Sequence, residues 1–360
     1  RLANALTSPV AACLSPHRLQ QAERQEHHED NAMNRQRQTL PILRRRALLG
    51  ATGLALASPA LAQREYPSRP IRLIVPWLAS AAADIQLRSL AQIATRHLGQ
   101  PVIIENRAGA SGILGAQLLS NEAQGDGYLL TQMHNSALRV PFMMQRPPYD
   151  VLRDFSYVIR LVGYSYGLVV RPDSPWQTWG QFIDHVKANP GKVSFGTAGV
   201  GTTQHVAMEQ AARIAGLDWV HIPFRGGGDD VQALLGGNLD AVASSSLWAE
   251  MVQNGQLRLL VSFGEQRIAR FPTVPTLRES GINVAHTSPY GLVAPKGMDP
   301  GITRILHDAL HRALNEPEHL ALLARMDMPL AYLNSADYAA SMPATLEEQR
   351  LVVRELGLRM

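Results

Sequence analysis

Twice in this chain an apolar strand runs into a loop of small residues and out again into an amphipathic helix. The first instance reads IRLIVPWLASAAAD followed by IQLRSLAQIATRHL, and the second FGTAGVGTTQH followed by VAMEQAARIAG. The first N–H groups of a helix have no carbonyl of their own to bond. With the helix dipole behind them they form a natural seat for an anion. Strand and helix in alternation argue for α/β layers around mainly parallel sheets. Two such loops, about a domain apart, predict two α/β units whose loops face one cleft.

The rest of the chain is consistent with that plan. Strands are predicted at 71–75, 102–105, 128–136, 157–162, 167–170, 193–197, 220–223, 240–243 and 257–264. The strand at 128–136 ends in the polar run His134-Asn135-Ser136. Helices are predicted at 85–98, after the glycine-rich turn at 109–115, from a Thr178 cap to 188, and at 205–215 and 229–237. Three more, at 301–315, 317–326 and 336–356, close the chain. The inward faces are Leu87, Leu90, Ala91, Ala94 and Leu98 in the first helix, and Ala207, Ala211 and Ile214 in the one closed by Gly216. Near the C-terminus the inward face is Ile302, Ile305, Leu306, Ala309, Leu310 and Ala313. The tripeptide Tyr-Gly-Leu occurs at 166–168 and again at 290–292, each time in an extended run ending at proline. Crossings at 167–170 and 291–294 would make a hinge. Residues 63–167 and 290–360 then form one domain, and 168–289 a second inserted into it.

At 360 residues the chain has room for two domains. Its net charge of +4 and pI of 9.4 suggest a nucleic-acid binder until the charges are located. Residues 1–62 hold eight arginines and four acids, which leaves 26 basic and 26 acidic residues in the remainder. The excess belongs to the leader, and nucleic acid recedes as a partner. Arg44, Arg45 and Arg46, an apolar run from Ala47 to Ala57, and Ala60-Leu61-Ala62 make residues 33–62 a cleavable export signal. The arginines ahead of Ala47-Leu48-Leu49 leave the general secretory and twin-arginine routes both open. Residues 1–32 read as an over-extended start site, with Met33 as the true one. The single cysteine, Cys13, lies in that extension, so the mature chain is expected to lack a disulfide, a thiol nucleophile and a cysteine metal site.

The usual chemistries find little support. The glycines at 109–115 read GASGILG and those at 199 read GVGTTQ; neither is GxGxxG, and GxxxxGK[ST] is absent. No GxSxG elbow exists for a serine hydrolase, and Ser111 fits a turn or helix cap better. His205 stands at the mouth of the second loop, where it could act as a base or simply fix a loop. His307 and His311 lack the glutamate of HExxH. Holding a ligand fits better. Small residues let a ligand approach the backbone, Thr202 and Thr203 add hydroxyls, and Trp77 offers a flat wall. Asp84 and Thr203 also fit as plain helix caps.

YPSRPIRLIVPW, GQPVIIENRAGASGILGA, DGYLL, PPYDVLRDF, ANPGKVSFGTAGVGTTQH, HIPFRGGGDDVQALLGGNLD and RFPTVPTLRESG occur in that order. From Tyr66 onward the chain resembles the substrate-binding proteins of tripartite tricarboxylate transporters, the Bug family of periplasmic receptors. The resemblance implies an α/β, two-domain type II periplasmic binding-protein fold, with two mixed sheets flanked by helices and a ligand cleft and hinge between them. It implies a monomeric, cofactor-free receptor that captures a small organic anion. Delivery would be to the permease subunits of a tripartite carrier or to a sensor kinase. The competing class is an enzyme on the same scaffold with His205 as base. By position, the first loop (Trp77, Leu78, Ala79, Ser80, Ala81, Asp84) and the second (Thr197, Gly201, Thr202, Thr203, His205) would cradle a carboxylate. Ser136, the 225–228 turn with Gly226, and the 244–246 segment with Ser244 would complete the cleft. Where the family has Pro-Ala-Gly-Gly or similar, this chain has Leu78-Ala79-Ser80-Ala81. Two added β-carbons restrict positive φ and imply either less room for a carboxylate or a different ligand.

Overall fold

The computed structural model describes residues 66–360 except 122–123. The export signal, the start-site extension and Cys13 lie outside the described residues. Two mixed sheets carry the fold. The first has the order β11-β4-β10-β3-β1-β2. Here β1 is Ile71–Val75, β2 Val102–Asn106, β3 Leu129–Met133, β4 Phe155–Val162, β10 Tyr290–Pro295 and β11 Leu330–Leu333. The second has the order β7-β6-β8-β5-β9, built from β5 (Tyr166–Val170), β6 (Ser194–Thr197), β7 (Val220–Pro223), β8 (Ala241–Ser245) and β9 (Arg258–Ser262).

Each sheet has a parallel heart. β1 pairs in parallel with β2 and β3, Leu73 standing opposite both Ile104 and Leu130. β6 pairs in parallel with β7 and β8. Parallel neighbours need a crossover helix. α1 (Ala82–Leu98) supplies it in the first sheet and α5 (Thr203–Ala215) in the second. Both helices end on a glycine in the left-handed conformation, Gly99 at φ 68° and Gly216 at φ 66°. α1 buries Leu87, Leu90, Ala91, Ala94 and Leu98 as its periodicity predicts. α8 (Pro300–Leu314) begins at an Asp299 cap with proline in its first turn, and packs against α1. α4 (Trp179–Ala188) is capped by Thr178 as expected, its side chain accepting from Gln181 N–H.

Several expectations are corrected. The run at 128–136 stops being a strand at Met133, and Asn135–Arg139 forms a short helix, α3. Ile214 and Ile305, assigned inward, are 53% and 42% exposed. The Tyr-Gly-Leu runs are extended as expected, but they lie inside the sheets and not at the crossings. Tyr166-Gly167-Leu168 sits between β8 and β9, and Tyr290-Gly291-Leu292 between β3 and β4. Their glycines serve close packing, since a Cβ at Gly291 would fall 2.2 Å from the Ile159 carbonyl oxygen. The chain passes between the sheets just before each run, through 163–165 and 263–289.

Candidate ligand-binding cleft

The first loop leaves the end of β1 and enters α1. Trp77 is buried, its indole N–H donating to Gln132 Oε1 at 2.9 Å and its ring lying 4.8 Å from that of His134. Gln132 donates in turn to the Tyr164 hydroxyl at 2.8 Å, which fixes the wall formed by the tryptophan. Ser80 adopts φ 68°, the left-handed conformation glycine would supply. Its N–H donates to Asp84 Oδ2 at 2.9 Å. Asp84 also accepts from Asn106 and Arg88 at 2.8 and 2.9 Å. Burial pushes this carboxyl up, but the bonds from Arg88, Asn106 and Ser80 outweigh it and hold it below the ordinary range. Asp84 is therefore a brace for the loop and does not cap α1. The cap position belongs to Ala81, which has no side chain able to bond the helix. Replacing glycine has thus not removed positive φ from the loop. Ser80 is exposed, while Ala81, Ala82 and Ala83 line the cleft.

The second loop repeats this construction. Gly199 and Gly201 take φ 132° and 74°. Thr202 holds the cap position of α5, but its hydroxyl donates to the Gly199 carbonyl at 2.7 Å and leaves the helix uncapped. Thr197 Oγ1 lies 2.7 Å from His221 Nε2 and ties β6 to β7. His205 Nδ1 accepts the Gly201 N–H at 3.1 Å, leaving the imidazole proton on Nε2, 3.7 Å from Glu209. Its ring centroid is 4.1 Å from that of His221. Burial, then the charges of His221 and Arg139, push His205 down to about 3. It is a neutral side chain that fixes its own loop.

Both helix starts open onto one narrow space of about 30 Å3. The first lobe contributes Trp77, Ala81, Ala82, Ala83, His134 and Ser136; Tyr164 and Tyr166 come from the crossing and the start of β5, and Ala198, Gln204, Gly227 and Ser245 from the second lobe. Of the residues expected at the site, Trp77, Ala81 and Ser136 line this space. Leu78, Ala79, Ser80 and Asp84 shape the first loop behind it, and Thr197, Gly201, Thr202, Thr203 and His205 shape the second. Gly226 and Ser244 are the immediate neighbours of lining residues Gly227 and Ser245. Tyr164 carries no motif that singles it out in sequence, and nothing in the motifs holding Tyr166 and Gln204 marks those side chains as lining the cleft. A larger hollow of about 740 Å3 between Leu138 and Arg350 faces no helix start and no second lobe. Among the described residues no group of three or more His, Cys, Asp or Glu could hold a metal ion.

The lobes touch across the cleft. Ser111 Oγ donates to the Val200 carbonyl at 2.6 Å, and a Cβ at Gly226 would meet Leu78 at 3.4 Å. Arg139, from α3, donates through Nη1 to the Gly201 carbonyl at 2.9 Å and through Nη2 to Gln349 Oε1 at 2.5 Å. It is 1% exposed. Burial pushes its guanidinium down to about 10, which still leaves it charged at neutral pH. His134 is pushed down to about 4 by burial despite its bond to Gly112, and Arg139 adds to that.

Two mixed α/β sheets, joined by paired crossings and meeting at a cleft into which two helix N-termini open, define a periplasmic binding protein of the type II fold. The model for the tripartite tricarboxylate transporter family receptor matches residues 86–358, and the chain belongs to that family. A UPF0065 protein from the gbd 5′ region of Cupriavidus necator is 46% identical over 313 residues, covering 87% of this chain and 95% of the relative. BugT of Bordetella pertussis is 31% identical over 321 residues, covering 87% and 98%. Among solved structures, MatC of Rhodopseudomonas palustris with bound malate is 25% identical, with a TM-score of 0.74 over 80% of this chain and all of its own.

Proposed function

We propose that this protein is a periplasmic receptor that closes over a small organic carboxylate and hands it to a membrane permease or a sensor. The observation that carries the reading is the pair of uncapped helices, α1 at Ala81 and α5 at Thr202, whose first turns meet at one closed cleft. Unpaired N–H groups and two converging dipoles favour an anion there. The malate held by MatC supports the same ligand class. Catalysis by His205 has the geometry against it, because its Nδ1 is taken by Gly201 and its ring lies behind the lining residues.

The carboxylate rests between the first turns of α1 and α5, with Trp77 and the two tyrosines as walls. The two sheets with their helices act as the two moving bodies, hinged at the crossings 163–165 and 263–289. The mature protein begins near Gln63, carries no cofactor and works as a monomer.

Calorimetry with malate, succinate and adipate, with the ligand recovered and analysed by mass spectrometry, tests this. The expected result is one site per chain at micromolar affinity or better for at least one of them, returned unchanged. Absence of binding by every carboxylate, or conversion of a bound one, would overturn it.

A further inference from the structure

Arg139 is the anomaly of the closed cleft. A buried guanidinium ordinarily pairs with an acid, because desolvating an uncompensated charge is expensive. Here neither fork nitrogen meets a carboxylate. Nη1 reaches the Gly201 carbonyl, Nη2 the Gln349 amide oxygen, and Nε has no partner at all. Both partners are neutral. The Tyr166 phenol, which itself lines the cleft, feels this charge, but burial keeps it protonated and neutral. The same positive charge is felt at His134, another lining residue, and at His205 behind the second loop. Arg139 therefore stands close behind the ligand space, fixed from one lobe to the loop of the other.

We propose that Arg139 is the specificity-determining residue for ligand charge: a buried, acid-free cation tied across the cleft to Gly201, whose counter-charge is the bound anion, so that the closed cleft selects a dianion over a monoanion of the same shape. This rests on the carboxylate reading given above. The open cleft lets water screen the guanidinium; closure removes that water and leaves the ligand to balance it. Each further negative charge on the ligand then gains from the same fixed cation. Arg139 acts without touching the ligand, through the field it sets up and the loop it holds.

The test compares whichever of malate, succinate and adipate binds tightest with its monomethyl ester, in wild type, Arg139→Met and Arg139→Lys. At an effective dielectric of about 20 and a separation of roughly 6–10 Å, the charge should set the dianion-to-monoester affinity ratio by about ten- to a hundred-fold. Arg139→Met should lose that much of the ratio, whatever its ligand-free melting temperature does once the Gly201 carbonyl and Gln349 Oε1 lose their donor. Arg139→Lys keeps the charge and should keep most of the ratio. A purely structural arginine would behave otherwise: in Arg139→Met both affinities would fall together and the ratio would hold. An unchanged ratio in Arg139→Met overturns the inference while leaving the receptor reading intact. If wild type binds none of the carboxylates, the receptor reading falls and this inference falls with it.

Discussion

Ser80 and Ala81 occupy the two positions at which glycine was expected, and the structure separates their roles. Ser80 sits at φ 68° and is exposed, with only its N–H engaged. Holding a non-glycine residue in the left-handed region costs about 1–2 kcal/mol. Glycine removes that strain but loses roughly 0.5–1 kcal/mol more entropy on folding. Ser80→Gly should therefore raise stability by up to about 1 kcal/mol and leave ligand affinity unchanged, because no atom facing the cleft is altered. Ala81 is different. It lies at φ −66° and ψ 158°, which alanine adopts freely, and it is buried and lines the cleft. Ala81→Gly gains no strain relief and should lose about 0.5–1 kcal/mol of stability. It should also widen the ligand space and shift preference towards a carboxylate that sits deeper. Urea unfolding of each variant, followed by calorimetry with the tightest-binding dicarboxylate, checks both halves. If Ser80→Gly proves destabilised by more than about 1 kcal/mol, or changes affinity severalfold, the division of labour drawn here between the two residues is wrong.

Gly199→Ala should weaken ligand binding at least about tenfold, because its Cβ would lie 2.7 Å from Ser111 Oγ of the opposite lobe and φ is 132°. Small-angle scattering should then show a more open molecule at saturating ligand than wild type. His205→Ala should weaken binding about tenfold by calorimetry, since it frees the buried Gly201 N–H and loosens the second loop, a loss of about 1–2 kcal/mol. Acid should destabilise the fold: burial holds His134 down to about 4 and His205 down to about 3, so only the unfolded chain takes up their protons as pH drops below the ordinary histidine value. That stability is fully present above pH 7 and is lost progressively below about 6.5, at roughly 2 kcal/mol per histidine by pH 5, measurable by urea titration at the two pH values.

The two strand–loop–helix units were plain in the sequence, because IRLIV and the Leu87, Leu90, Ala94 periodicity leave one choice of element each. The unpaired N–H groups followed from the loops alone. What the sequence concealed depends on packing. β11 is a four-residue edge strand whose pattern of exposed and half-buried residues gives no apolar run to read. α3 is five residues long and looks like the polar tail of β3. Tyr164 and Tyr166 reach the cleft only because the chain changes sheets between Val162 and Tyr166. Arg139 reads as an ordinary surface arginine until Gln349, more than two hundred residues away, and Gly201 close around it. Asp84 looked like a cap and is a brace, since that depended on Asn106 arriving from β2.

The most direct test of the central claim is a crystal structure of the protein with its tightest-binding dicarboxylate. The account predicts one carboxylate between the lobes, its oxygens about 2.7–2.9 Å from first-turn N–H groups of both α1 and α5, at a charge-assisted hydrogen-bond length. A carboxylate held by only one of those helices, or seated outside the cleft walled by Trp77, Tyr164 and Tyr166, would contradict it.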